Sequence, residues 1–199
     1  MVLIACNSRF TPWGSALNES QRMALFADKT FQEQEYIVSN NVVTTLGGAK
    51  GLAAARSIAL ISYRSYSGYN LTQQEDEEDT IFPTKALSYQ QYQGKKLVDR
   101  FNPYSYLTMI NITDSHNIGR GRGGVIKALK SVKANTLCIG IDSDILFPYK
   151  EQEFMAEYIE NGEFELISSK FGHDGFLLEW QQIAQAIYNS KYFKFINRK

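Results

Sequence analysis

The sequence predicts an α/β protein built on an open parallel sheet. Three runs dominated by apolar residues support this fold class: "VLIAC" at residues 2–6, "TLCIGI" at residues 136–141 and "FELISS" at residues 164–169. Such runs are typical of strands buried on both faces, as in parallel sheets. Helical patterns lie between and after the runs, which is the element order of a sheet with helical crossovers.

Two amphipathic helices accompany the last two predicted strands. The first, "PYKEQEFMAEYIENG" at residues 148–162, begins with Pro148, which a first helical turn tolerates, and ends at Gly162. The second follows the final strand and should dock on the sheet, because its apolar residues recur as a stripe about 100° wide. The residues of that stripe are Phe176, Leu177, Trp180, Ile183, Ala184, Ile187 and Tyr188.

The middle of the chain, about residues 16–120, is predicted to be a mostly helical insertion between two strands of the sheet. Segments such as "NESQRMALFAD" and "GLAAARSIALISYRSY" have apolar residues at helical spacing. No run in this region is typical of a fully buried strand. The charged run "QQEDEEDT" at residues 73–80 predicts a solvated loop without a function of its own. We expect the 199 residues to form one domain that contains this insertion.

Composition and charge exclude several classes of partner. The sequence has 21 basic and 21 acidic residues, so it has no net field to attract nucleic acid or an anionic membrane. No apolar run approaches the roughly 18 residues of a membrane span, and a cytoplasmic location is the default expectation. Cys6 and Cys138 lie inside apolar runs without metal-ligand spacing. They are predicted to be small buried residues in a reducing compartment, and no metal is expected.

Polar residues follow each of the last two predicted strands. One strand continues as "GIDSDILFP", with Asp142 and Asp144 at its carboxyl end, and the next leads into "SSKFGHDGF", with His173. Ligands bind at this edge of a parallel sheet. An acid and then a histidine after successive strands is the chain order of α/β-hydrolases, in which a carboxylate orients the histidine that deprotonates a serine. His173 alone would favour a structural interpretation, but the strand-end aspartate favours a catalytic one.

A nucleophile for this pair is missing from the sequence. No G-x-S-x-G motif occurs, and the nearest candidates, Ser15 and Ser67, lack the strand-to-helix setting of a nucleophile elbow. The residues therefore predict only half of a catalytic site.

Five segments resemble the homoserine O-acetyltransferase family, in the same order and over nearly the whole chain. They are "NSRFTPWGSALNESQRMALFAD", "GLAAARSIALISYRSY", "YQGKKLVDRFNPYSYLTMINITDSHNIGRGRGG", "GIDSDILFP" and "GHDGFLLE". The resemblance is to the C-terminal half of the family, and it implies a partial α/β-hydrolase fold: the last strands of the parallel sheet, the C-terminal helices and a helical lid. The nucleophilic serine would then lie upstream, and the chain would be a fragment.

The resemblance also implies an activity. The family transfers acetyl from acetyl-CoA to the hydroxyl of L-homoserine, an early step toward methionine, by a ping-pong reaction through an acetyl-serine. Acetyl-CoA is then a donor substrate, no permanently bound cofactor is expected, and the full-length protein would be a homodimer.

Individual site residues follow from matching the family's motifs to this sequence. Asp144 matches the aspartate of the charge relay and His173 the base, while Asp142 is interpreted as a turn or capping carboxylate. Asp174 matches the aspartate that holds the amine of homoserine. Arg56, in "GLAAAR", matches the arginine that receives the substrate carboxylate, which a guanidinium can bind through two parallel hydrogen bonds.

Tyr63 matches a family tyrosine near the site and lies seven residues after Arg56, on the same predicted helix face. "GRGRGG" at residues 119–124 lacks the strand before it and the Lys-Ser/Thr of a phosphate-binding loop, so we interpret it as the entry to a helix. His116, just before it, is interpreted as structural. The residues that bind the coenzyme A donor are not assigned.

Alternatives remain open from the sequence alone. Within the enzyme class, the acyl group could be succinyl or another acyl group, and the acceptor homoserine or serine. In a different class, the chain would be a non-catalytic module that reuses the lid. We also expect these 199 residues alone to aggregate or dimerise, because a parallel sheet needs its central strands to offset the entropy cost of ordering.

Overall fold

The structure, a computed structural model, describes residues 1–32, 37–39, 42–44 and 47–193. Its strands and helices follow one another in chain order as β1 (Val2–Ile4), α1 (Pro12–Ala27), α2 (Lys29–Gln32), β2 (Ile37–Ser39), β3 (Val42–Thr44), α3 (Ala49–Tyr63), α4 (Tyr66–Gln73), α5 (Thr84–Val98), α6 (Pro103–Asp114), α7 (Val125–Lys130), β4 (Thr136–Ile141), α8 (Tyr149–Tyr158), β5 (Gly162–Ile167), a 3₁₀ helix (Gly172–Asp174), α9 (Gly175–Leu178) and α10 (Trp180–Asn189).

The predicted parallel sheet is confirmed. Strand β4 lies between β1 and β5 and pairs in parallel with both, so that Cys138 is opposite Leu3 on one side and Phe164 on the other. All six residues of β4 are buried. The prediction that β1 is buried on both faces is wrong, because its three residues are only partly buried. Among the described strands, β1 pairs with β4 alone and so lies at the edge of the sheet.

Apolar residues of β4 alternate between two hydrophobic clusters, one on each face of the sheet. On one face Leu137, Ile139 and Ile141 pack with residues of β5 and α10. On the other, Cys138 packs with Leu129 of α7 and Met155 of α8. This alternation follows from the two-residue period of a strand, and helices on both faces account for the complete burial of β4.

The predicted C-terminal helix differs from the observed one. It is interrupted at Glu179, whose backbone leaves the helical conformation, and this separates α9 from α10. Ile183 is buried against the sheet, with Phe176 and Ile187 packed around it. The rest of the predicted stripe is wrong because the interruption changes the helical phase: the exposed residues are Leu177, Trp180, Ala184 and Tyr188.

The chain divides into two compact units. One comprises Met1–Thr11, Ser62–Tyr69 and His116–Lys199, and contains the parallel sheet. The other comprises Pro12–Ile61 and Asn70–Ser115. The sequence predicted a mostly helical second region without a fully buried strand, and a short antiparallel hairpin, β2–β3, is present there as well. That the region acts as a lid stays a prediction.

The helical unit has its own apolar cluster and a polar link between two helices. Leu25, Leu52 and Leu97 are buried together in the cluster. Arg22 of α1 forms an ion pair of 2.5 Å with Asp114 at the end of α6, which joins these two helices. The charged run at residues 73–80 is largely exposed, as predicted. Within the described ranges, no helix is both long enough and apolar enough to cross a membrane.

Candidate active site

Asp144 lies in a tight turn directly after β4, at the carboxyl edge of the sheet. Its side chain is completely buried. Carboxylate oxygen Oδ1 accepts hydrogen bonds from the backbone N–H groups of Leu146 (2.8 Å) and Phe147 (2.9 Å). These bonds compensate for burial of the charge and fix the direction of the second oxygen, Oδ2.

His173 faces that second oxygen from the loop after β5. Its Nδ1 lies 2.7 Å from Oδ2 of Asp144. Because a carboxylate oxygen accepts hydrogen bonds, Nδ1 of the neutral imidazole carries the proton, and Nε2 is the basic nitrogen. The imidazole side chain is 16% exposed and is surrounded by the rings of Tyr63, Phe147 and Phe176, at centroid distances of 6.0, 5.2 and 5.0 Å. The structure thus brings together the two residues that the sequence proposed as acid and base.

The turn that carries His173 packs closely on the chain segment that joins α3 to α4. Gly172 has a positive φ of 66°, and a Cβ there would lie 2.6 Å from the backbone carbonyl carbon of Arg64. The hydroxyl of Ser65 donates a hydrogen bond to the carbonyl of Lys170 and accepts one from the N–H of Gly68. The position of the imidazole therefore depends on this segment as well as on the sheet.

Replacing Gly172 by Ala should destabilise the protein and disturb the His173–Asp144 pair, because the methyl group meets backbone in a conformation that L-residues avoid. Gly121→Ala is the matched control: φ is 69° there, and nothing lies within 4 Å of the added Cβ. We expect both variants to lose stability because an alanine is strained at a positive φ. Gly172→Ala should lose more because its methyl group also meets neighbouring backbone. Chemical denaturation measures the difference, and equal losses would contradict the close packing.

Asp142 has a separate structural role, as interpreted from the sequence. Its Oδ1 accepts a hydrogen bond of 2.9 Å from the N–H of Ser169, and Oδ2 accepts one of 2.9 Å from the hydroxyl of Ser168. Asp142 therefore joins the loops that follow β4 and β5. Among the described residues, its carboxylate contacts the loop after β5 at Ser168 and Ser169 and not at His173.

Asp174 forms an ion pair that the sequence did not indicate. Its Oδ2 lies 3.1 Å from Nη1 of Arg64, with about a fifth to a quarter of each side chain exposed. The two residues are 110 positions apart, and no local pattern in "YRSY" marks the arginine as a partner. Asp174 directly follows His173, so this ion pair lies beside the imidazole. Of the two carboxylate oxygens of Asp174, Oδ2 takes part in the ion pair.

Arg56 and Tyr63 both lie on α3, seven residues apart, but they fall in different units. Arg56 belongs to the helical unit and is partly buried. Tyr63 belongs to the unit that contains the sheet, and its ring lies beside the imidazole of His173. The predicted contact of Arg56 with a substrate carboxylate stays a prediction.

The glycine-rich run and the other histidine have structural roles. Asn117 Oδ1 accepts a hydrogen bond of 2.8 Å from the N–H of Gly119, and Gly124 precedes the short helix α7. His116 Nε2 lies 3.0 Å from the carbonyl oxygen of Asn7, which supports the structural interpretation of that residue.

Neither cysteine has the environment of a reactive thiol. Burial raises the pKa of Cys138 to about 12 and also raises that of Cys6, so both favour the neutral form. In the part of the chain that the structure describes, no three His, Cys, Asp or Glu side chains come together in a group that could hold a metal ion.

Known homoserine O-acetyltransferases are similar to this chain over nearly its whole length. The chain is 39% identical over 193 residues to a homoserine O-acetyltransferase of Cyclobacterium marinum, a match that covers 97% of the chain and 52% of the relative. The crystal structure of homoserine O-acetyltransferase from Staphylococcus aureus superposes with a TM-score of 0.71 and 29% identity, over 100% of this chain and 51% of that one. The chain matches one half of a homoserine O-acetyltransferase.

The homoserine O-acetyltransferase match also identifies the fold. The enzyme of that name from Bacillus anthracis superposes with a TM-score of 0.78 at 17% identity, over 100% of this chain and 53% of that one, which supports the fold alone. The fold is a partial α/β-hydrolase fold. The chain spans about half the length of the curated relatives that it matches. No protein-family model matches it.

Proposed function

We propose that this chain supplies the acid–base pair and the acceptor-binding residues of an acyltransferase that moves acetyl from acetyl-CoA to the hydroxyl of L-homoserine. The observation that carries the proposal is the 2.7 Å contact between Nδ1 of His173 and the completely buried carboxylate of Asp144. Similarity to homoserine O-acetyltransferases over 97% of the chain supports the choice of reaction.

In the proposed mechanism, Nε2 of His173 accepts the proton of a serine hydroxyl, and the serine oxygen attacks the thioester carbonyl of acetyl-CoA. The C–S bond breaks, CoA leaves as the thiol with the proton from His173, and an acetyl-serine remains. His173 then deprotonates the hydroxyl of homoserine, which attacks the acetyl-serine and restores the serine. Asp144 stabilises the imidazolium in both halves of the reaction.

We propose a role in acceptor binding for each of three residues of this chain. Asp174 binds the amine of homoserine, Arg56 binds its carboxylate and Tyr63 lies beside the base. The ion pair of Asp174 with Arg64 supports this role, because it occupies Oδ2 and leaves Oδ1 for an ammonium group. We further propose that the full-length enzyme is a homodimer and that acetyl-CoA is its acyl donor.

The test joins this chain to the half of the Cyclobacterium marinum relative that it does not cover, referred to below as the assembled enzyme. We expect the assembled enzyme to form O-acetyl-L-homoserine from acetyl-CoA and L-homoserine. The 199 residues alone should form none, because they lack a nucleophile elbow. Product is measured by mass spectrometry, and succinyl-CoA and L-serine are run in parallel.

Two outcomes would contradict the proposal. Acetylation by the 199 residues alone would refute the assignment of the nucleophile to a segment outside them. An assembled enzyme that folds but transfers no acyl group would favour the alternative of a non-catalytic module, and faster turnover with succinyl-CoA would reassign the donor.

A further inference from the structure

Three consecutive residues, Asp142, Ser143 and Asp144, each form hydrogen bonds with the loop that carries His173. Asp142 binds Ser168 and Ser169, and Asp144 binds His173. Between them, the hydroxyl of Ser143 donates a hydrogen bond of 2.5 Å to the carbonyl oxygen of Ser169 and accepts one of 3.0 Å from the N–H of Gly172. Each of the three residues directly after β4 thus has its own hydrogen bonds to the loop after β5.

The links made by Ser143 lie directly beside the acid–base pair. Ser143 is adjacent to Asp144, and Gly172 is adjacent to His173, so the Gly172–Ser143 bond joins the same two loops one residue away from the 2.7 Å contact. Gly172 also begins the 3₁₀ helix that carries His173, and the first N–H groups of a helix have no partner within it. The Ser143 hydroxyl is that partner.

We propose that Ser143 is a positioning residue for the proposed base. Its hydroxyl fixes Gly172, and thereby the distance and angle at which the imidazole meets Asp144. Asp142 already joins the two loops at Ser168 and Ser169, so the sheet does not need Ser143 to hold its strand ends together. Loss of the hydroxyl should therefore change the state of the imidazole more than it changes the fold.

The chain is well suited to a direct measurement of this effect. It contains two histidines, and His116 bonds to Asn7, remote in sequence from Ser143, so it serves as an internal reference. ¹⁵N NMR of histidine-labelled protein distinguishes the two neutral tautomers through the ring nitrogens. We expect His173 of the unaltered assembled enzyme, whose ring signals are identified by their loss in His173→Gln, to show the Nδ1–H tautomer when its imidazole is neutral.

In Ser143→Ala, the nitrogen shifts of His173 should move toward the average of two exchanging tautomers, while those of His116 stay unchanged. Ser143→Thr keeps a hydroxyl and should restore the His173 shifts. Ser131→Ala is the matched control, because the Ser131 hydroxyl donates a hydrogen bond within its own helix end, to the carbonyl of Ala128. Should Ser143→Ala fail to fold by circular dichroism, Ser143→Cys gives the same test, since a thiol keeps the shape and weakens both bonds.

Unchanged His173 shifts in the folded Ser143 variant would overturn the proposal, as would an equal change in Ser131→Ala. The inference rests on the proposed role of His173, but its readout requires no acyl transfer. An assembled enzyme without activity, together with the expected tautomer change, would refute the proposed function and keep the positioning role. Full activity of the assembled enzyme, with no tautomer change in Ser143→Ala, would support the proposed function and refute the positioning role.

Discussion

Replacing Asp144 by Asn is expected to lower the rate of acetyl transfer by the assembled enzyme by about 10⁴ while leaving its fold intact. In the native pair, Nδ1 of His173 donates to the Asp144 carboxylate, and Nε2 is free to accept a proton from the nucleophile. A carboxamide of the same shape can donate its own N–H to Nδ1. The imidazole then carries its proton on Nε2 and can no longer act as the base.

The size of the rate loss in Asp144→Asn follows from what the base contributes to catalysis. General-base catalysis accounts for about 10² to 10⁴ in rate, and the carboxylate additionally stabilises the imidazolium that forms. Asp144 is completely buried, so solvent cannot replace it as a partner for Nδ1. His173→Gln should therefore be no more active than Asp144→Asn.

Asp142→Asn is the matched control for Asp144→Asn. It changes the same functional group two residues earlier, where the carboxylate binds Ser168 and Ser169 instead of the histidine. We expect it to reduce stability and to change the turnover number by less than about tenfold, since it leaves the tautomer unchanged. Release of CoA, followed with a thiol reagent, measures the rates. Equal losses in the two variants would refute the assignment of the charge relay to Asp144.

The sequence was sufficient for the centre of the fold and for the contact between Asp144 and His173. Strand β4 has the predicted bounds because its run is apolar on both faces and helices cover both. Asp144 and His173 meet because parallel strands bring their carboxyl ends to one edge. Both results depend on local pattern and on the regular geometry of a parallel sheet.

Features that depend on contacts between distant segments could not be predicted in the same way. The ion pair of Arg64 with Asp174 joins residues 110 positions apart, and the two bonds of Ser143 depend on the path of the loop after β5. The break at Glu179 has no glycine or proline to mark it, so the sequence predicted one continuous helix and missed the change of helical phase at that residue. Partial burial of β1 follows from its place in the strand order, which its own apolar run does not encode.

Asp174→Asn is expected to lower kcat/KM of the assembled enzyme for L-homoserine by about 10- to 100-fold, because a charge-assisted hydrogen bond contributes about 1.5–3 kcal/mol. The substrate amine is its proposed partner. With 4-hydroxybutyrate, which has the carboxylate and the hydroxyl of homoserine but no amine, the same substitution should change kcat/KM little. The ratio between the two acceptors is therefore the measurement that isolates recognition of the amine.

Arg64 makes this comparison necessary, because Asp174 already has a cationic partner in the chain. If Asp174 served only to bind Arg64 at 3.1 Å, its substitution would disturb the His173 turn and slow both acceptors equally. Arg64→Lys keeps the positive charge and should retain the preference for homoserine, whereas Arg64→Leu leaves the carboxylate without its fixed partner and should weaken that preference. An unchanged acceptor ratio in Asp174→Asn would leave Asp174 as a structural ion pair, and recognition of the amine would have to come from another residue.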